Sequence, residues 1–162
     1  MLLLDVDGVL TDGAVIYTGQ GEEIKQFDIK DGLGLRLAKR AGLKTAIVSA
    51  RESKVVVQRA QELEVDEVYQ GAKVKLEVFN RLLTRHDLKA HQIAYMGDDL
   101  IDLPILRRVG LPVTVPEAPA EVKAAAGYIC RKPGGKGAVR EVVELILKAQ
   151  GTWEQAVARY YE

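Results

Sequence analysis

Leu2-Leu3-Leu4-Asp5-Val6-Asp7-Gly8-Val9-Leu10-Thr11-Asp12-Gly13 runs three apolar residues straight into two aspartates two positions apart, with a glycine behind them. A short apolar run bounded by a turn signal reads as a buried strand. Residues i and i+2 of an extended chain share a face, so Asp5 and Asp7 emerge side by side as Leu2 to Leu4 ends. That is where open α/β sheets bind ligands. Two carboxylates so close repel each other, and a bound cation or a shared proton relieves this. Gly8 lets the backbone turn sharply. The arrangement suits phosphoryl transfer, although an Asp-Gly turn in an acidic loop has the same letters.

Working outward, strand-like segments alternate with helical patterns. The strands are Leu2 to Leu4, Lys44 to Val48, Glu67 to Tyr69, Ile93 to Met96, Pro112 to Val115 and Tyr128 to Cys130. Helices are expected at Leu33 to Arg40, Glu52 to Leu63, Val74 to Arg85, Pro119 to Ala126 and Ala138 to Gln150. Alternation with short connections predicts an α/β fold, a Rossmann-like, doubly wound parallel sheet, as a single domain over residues 1–162. Two segments depart from it. Residues 14–27 read as a β-hairpin turning at Thr18-Gly19-Gln20-Gly21, which must pack on something because an isolated hairpin is marginal. Arg131 to Gly137 is rich in glycine and cations, either a solvated loop or one that folds over an anion.

Lys plus Arg equals Asp plus Glu, 23 each, so the chain has no basic field to draw nucleic acid. A small anionic substrate held by a few local cations fits better. The start carries no basic leader, and no apolar run has membrane-spanning length, so neither a signal peptide nor a membrane partner is expected. Cys130 is the only cysteine, which suits a reducing cytoplasm and a plain buried side chain. His86 and His91 lie in the polar stretch Arg85 to Gln92 and are expected at the surface.

Three more stations follow Asp5 and Asp7 in order. Ser49 ends the strand from Lys44, Lys75 opens an amphipathic helix, and Gly97-Asp98-Asp99-Leu100-Ile101-Asp102 ends the strand from Ile93. Together the four stations resemble the haloacid dehalogenase superfamily over almost the whole chain. The resemblance implies Asp5 as nucleophile and Asp7 as general acid and base. It also implies Ser49 and Lys75 on the phosphoryl oxygens, and magnesium held by Asp5, Asp98 and the Asp7 main-chain carbonyl. Asp99 is then a candidate support for a metal-bound water or for Lys75. Asp102 either caps the helix at Pro104 or touches metal, and Ser49 also suits the N-cap of the helix beginning near Glu52.

A narrower similarity lies in Phe27-Asp28-Ile29-Lys30-Asp31-Gly32, in Tyr69-Gln70-Gly71, in the Gly97 to Asp102 run, and in Gly134 to Gly151. These stretches resemble the bacterial phosphatases of 3-deoxy-D-manno-octulosonate 8-phosphate (KDO 8-phosphate), which serve lipopolysaccharide synthesis. By that resemblance Asp28, Ile29, Lys30, Asp31, Gly32, Arg36, Arg51 and Arg59 touch the substrate, a phosphate that is also a carboxylate. Lys30 stands where many relatives have arginine; it keeps the charge and loses the fork. The intervals between stations leave no room for a cap domain. The resemblance implies a homotetramer whose hairpins gather at the centre and whose neighbouring subunits complete the sites. The tail Thr152 to Glu162, with Trp153, Val157 and Tyr160 at near-helical spacing, docks either on a partner or on its own core. The alternatives are a phosphatase of another sugar acid phosphate, such as a sialate 9-phosphate, and a non-catalytic oligomerisation domain.

Overall fold

Leu2, Leu3 and Leu4 have no solvent exposure. They form β1 (Leu2–Leu4) near the middle of a six-stranded sheet, in a computed structural model that describes residues 1–162. On one side lie β4 (Thr45–Val48) and β5 (Glu67–Tyr69), on the other β6 (Ala94–Met96), β7 (Leu111–Thr114) and β8 (Tyr128–Ile129). The order is β5-β4-β1-β6-β7-β8, and every pairing is parallel. A strand covered on both faces needs apolar residues at every position, which is why β1 reads as a run and not an alternation. The chain winds outward from β1 through β4 to β5, then returns beside β1 as β6. The switch point therefore falls at β1, with its ligand crevice at the carboxyl ends.

The crossover helices make two layers. Helix α1 (Ile29–Arg40) packs on α6 (Ala138–Ala149) and α7 (Trp153–Val157), while α3 (Lys75–His86) packs on α4 (Leu103–Leu106), and α4 on α5 (Ala120–Ala125). Helix α2 (Lys54–Glu62) joins α1 through Arg36, whose guanidinium donates to the Glu62 carbonyl at 2.9 Å. In α6 the buried residues Val139, Val142, Val143, Ile146 and Leu147 follow the helical period, one apolar stripe turned into the core. No helix is long and apolar enough to cross a membrane.

Helix α1 begins four residues before the expected start, because the Asp28 carboxylate accepts from the Lys30 and Asp31 amides and caps it. Gly32 and Gly34 had masked that first turn. The hairpin forms from β2 (Ile16–Tyr17) and β3 (Glu23–Ile24), a shorter ladder than expected, with Ile16 opposite Ile24. It leaves Val15, Ile16, Tyr17 and Ile24 between 45 and 61% exposed. It packs on its own chain through Lys25 and Glu23, which meet Asp7 and Arg51.

The tail docks on its own core. Ala156 and Val157 are buried, Trp153 lies beneath Lys148 and Arg140, and the Tyr160 hydroxyl accepts from Arg40 at 2.8 Å. Truncation before Thr152 is expected to cost about 3 kcal/mol of stability, the worth of a buried valine and the covered face of a tryptophan. Thermal denaturation checks it.

Candidate active site

The sheet register decides which side chains meet. Leu4 stands opposite Ile47 on β4 and Met96 on β6, so the chain leaves all three strands at one level. Asp5, Ser49 and Asp98 are thereby delivered to one crevice, locked further by the Asp5 amide donating to the Met96 carbonyl at 2.9 Å. The crevice is a cleft of about 220 Å³ lined by Asp5, Asp7, Ser49, Arg51, Asp98 and Asp99, among others. Gly8, at φ +83°, makes this convergence possible: a Cβ there would lie 1.9 Å from Asp98 Oδ2.

Asp5 is 6% exposed and held at both oxygens: Oδ1 accepts from the Val6 amide at 2.7 Å, and Oδ2 faces the Lys75 ammonium at 2.5 Å. Lys75, the first residue of α3, is itself buried and also reaches Asp102 Oδ1 at 2.7 Å. Burial works against this ammonium, but the Asp5 and Asp102 carboxylates more than offset it and hold its pKa above the ordinary lysine value. It is therefore charged at neutral pH.

Asp102 holds the N-cap position of α4, but its carboxylate makes no cap hydrogen bond there and turns to other partners. It has no exposure, and its oxygens accept from Lys75, from the Tyr95 hydroxyl at 2.5 Å, and from the Asp98 and Asp99 amides at 2.9 and 3.1 Å. Burial, then the Asp102 charge, keeps the Tyr95 phenol protonated far above its ordinary range, so it remains a donor. Asp102 thus does for Lys75 what Asp99 was a candidate to do. The signal for it is the Asp99 to Asp102 spacing, which brings a side chain back to the amides of its own turn. Asp99 is exposed, and its carboxylate caps the short turn at the Leu100 amide, 2.7 Å away.

Asp5, Asp98 and Asp102 each present an oxygen within 4.8 Å of the others. With Asp102 engaged elsewhere, Asp5 and Asp98 are the pair open to a cation. Burial is the main cause of raised pKa values at both, to about 6 at Asp5 and about 7 at Asp98, where the Asp5 charge adds to it. A cation that needs both as carboxylates must displace protons near neutrality. Divalent-cation binding is therefore expected to release protons, more of them as pH falls from about 7 to about 6, and to weaken over that same range. Calorimetry in buffers of different ionisation enthalpy measures the release. Because these folded-state values are raised, the cation-free fold should lose stability as pH climbs from the ordinary carboxylate range to about 7.

Ser49 is buried, and its hydroxyl accepts from the Arg51 amide at 3.2 Å; Ser53, not Ser49, holds the N-cap position of α2. The side chains expected around the substrate do not assemble in one place. Arg51 borders the cleft, but Ile29, Lys30, Gly32, Arg36 and Arg59 line a separate groove of about 560 Å³ that shares no residue with it. Asp28 is the α1 cap. Asp31 is 1% exposed, its carboxylate accepting from the Gly137 and Arg140 amides at the start of α6. The Asp31 carboxylate is thus engaged within its own chain at both oxygens, whereas Asp28 uses only Oδ1 for its cap.

The glycine-rich segment packs against the loop that follows β1. A Cβ on Gly134 would lie 1.8 Å from the Gly8 carbonyl oxygen, and the Gly135 amide donates to the Val9 carbonyl at 2.9 Å. Its glycines let it back directly onto the loop that carries Asp7. Lys136 lines a small cavity beside Asp98, and Lys132 is exposed. His91 is exposed as expected, whereas His86 is half-buried against Glu67.

Residues 67–142 match the model of the haloacid dehalogenase-like hydrolases. The chain is 43% identical over 156 residues to the 3-deoxy-D-manno-octulosonate 8-phosphate phosphatase KdsC of Escherichia coli K12, covering 96% of this chain and 83% of that one. It superposes with a TM-score of 0.95, at 42% identity, on the phosphatase of that name from Moraxella catarrhalis, solved with magnesium, phosphate and KDO. That match covers 98% of this chain and 91% of the other. A probable YrbI family phosphatase from Pseudomonas syringae gives a TM-score of 0.97 at 45% identity, over 99% and 92% of the two chains.

Proposed function

Since this chain belongs to the 3-deoxy-D-manno-octulosonate 8-phosphate phosphatases of the haloacid dehalogenase-like hydrolases, we propose that it hydrolyses KDO 8-phosphate through an aspartyl phosphate. The observation that carries the mechanism is the buried Asp5 carboxylate with the Lys75 ammonium 2.5 Å away. Asp5 attacks phosphorus, forming an oxygen–phosphorus bond as the bond to the sugar oxygen breaks. Asp7 gives its proton to that leaving oxygen. It then takes one from the water that attacks the aspartyl phosphate, which releases phosphate and restores Asp5. Ser49 and Lys75 hold phosphoryl oxygens, and the Lys75 charge meets the negative charge that develops on them. Magnesium is the cofactor; Asp5, Asp98 and the Asp7 main-chain carbonyl would hold it, and when bound it would supply the neutralising charge that phosphoryl transfer needs. Turnover across a panel of sugar phosphates with magnesium tests the assignment. KDO 8-phosphate should give the highest kcat/KM, and faster turnover of a sialate 9-phosphate would move the substrate to that acid.

The protein works in the cytoplasm as a homotetramer of single-domain subunits whose sites are completed by neighbours. A cleft of about 220 Å³ is smaller than the ~300–1,000 Å³ usual for small-molecule sites, so it suits the phosphoryl end of the substrate and leaves the sugar acid outside. The separate groove of Lys30, Arg36 and Arg59 supports the same reading, because Arg59 Nε is buried there without a partner. So do the exposed apolar residues Val15, Ile16, Tyr17 and Ile24 of the hairpin. An Arg59→Ala subunit keeps its nucleophile, and an Asp5→Asn subunit keeps its groove. Refolding the two together in equal amounts is expected to restore activity at about one site in four, by the statistics of mixing across a shared interface. Activity no higher than the sum of the separate variants would place groove and cleft in independent roles.

A further inference from the structure

Lys25 belongs to none of the sequence stations, yet its side chain is only 1% exposed. It follows the second strand of an otherwise open hairpin, where an ammonium has free access to water. Instead it turns inward, hydrogen-bonds Asp7 Oδ1 and lies 3.4 Å from Glu23 Oε1. Glu23 accepts from Arg51 at 2.8 Å, and Arg51 Nε stands 3.8 Å from Asp7 Oδ2. Asp7, Lys25, Glu23 and Arg51 thus close a ring of alternating charge that fastens the hairpin to the rim of its own cleft. Withdrawing an ammonium from water is costly unless it is paired, so the hairpin's inward lysine is one of its defining features.

We infer that Lys25 is a positioning residue for Asp7. The inference rests on Asp7 being the proton donor to the leaving oxygen. Lys25 and Arg51 are the side chains that hold the Asp7 carboxyl group, and Lys25 is the one in hydrogen-bond contact with it. With Oδ1 hydrogen-bonded to Lys25, and Arg51 Nε at 3.8 Å too far to hydrogen-bond Oδ2, Oδ2 is the oxygen that can meet the substrate. A proton donor must stand within hydrogen-bond reach of the leaving atom when the bond breaks. Without Lys25 the carboxyl group rotates about its own side chain and meets that geometry only part of the time.

The experiment compares kcat/KM, which covers the steps up to departure of the leaving group, for two substrates. A sugar phosphate leaves as an alkoxide and needs the proton; p-nitrophenyl phosphate leaves as a stable phenolate and does not. Lys25→Met keeps the stem and removes the charge, and is expected to lose about 10–100-fold on the sugar phosphate, part of the usual worth of general acid catalysis, with less than about threefold on the aryl phosphate. Lys25→Arg should recover much of the loss, and the Asp7→Asn/Lys25→Met double variant should be no worse than Asp7→Asn alone. Circular dichroism and melting temperature confirm the fold of each, with Lys25→Gln as a second neutral replacement. Equal losses on both substrates, or none on either, overturn the inference. If Asp7→Asn itself fails to distinguish the two substrates, the reading of Asp7 falls, and the role of Lys25 with it. If Asp7→Asn distinguishes them and Lys25→Met does not, only the inference about Lys25 falls.

Discussion

Asparagine in place of Asp5 is expected to abolish turnover, by about 10⁴-fold or more, the scale on which loss of a nucleophile acts in other covalent enzymes. The amide is a poor nucleophile and a weaker ligand for a cation. The fold should survive, because the carboxamide keeps an oxygen for the Val6 amide or for Lys75, and burial of a neutral group no longer opposes a charge. Rapid quench with labelled substrate should find phosphate bound covalently to the parent protein and none on the variant. Near-normal turnover by a homogeneous Asp5→Asn preparation would end the covalent mechanism.

Alanine in place of Asp102 should damage both stability and catalysis, although Asp102 touches no substrate. It has no exposure, and four donors converge on it: Lys75, Tyr95 and the amides of Asp98 and Asp99. Removing one partner of a buried ion pair leaves the other uncompensated, at about 3–5 kcal/mol. Lys75 retains Asp5, so the lower end of that range applies. The released ammonium and the loosened Asp98 backbone should lower kcat by about 10²–10³-fold, as removal of one transition-state donor does elsewhere. Asp99→Ala is the comparison beside it: its exposed carboxylate borders the cleft and caps one short turn, a cap worth about 1 kcal/mol, so its loss of stability should be much the smaller. Denaturant unfolding and steady-state kinetics on the two variants separate the roles. Equal effects would mean that Asp102 is not the anchor of Lys75.

The parallel sheet and most of the catalytic set were legible in the sequence because each depends on local pattern. A strand buried on both faces must be a run of apolar residues, as in Leu2 to Leu4, and a helix against the core must repeat its apolar residues as Val139, Val142, Val143, Ile146 and Leu147 do. Asp5, Ser49 and Asp98 are found the same way, since each sits where its own strand stops and all strands of a parallel sheet stop on one side. What lies beyond the strand ends was decided by the tertiary structure. Asp31 meets the amide of Gly137 across 106 positions, Lys75 meets Asp102 across 27, and Lys25 meets Asp7 across 18. None of these pairs has a periodic signature, because each depends on where rigid crossovers bring separate segments to rest. The glycines of residues 131–137 show the same division. Their composition announces an unusual backbone, but only the packed chain shows that the space they leave is filled by the loop carrying Asp7, where a single Cβ on Gly134 would lie 1.8 Å from the Gly8 carbonyl oxygen.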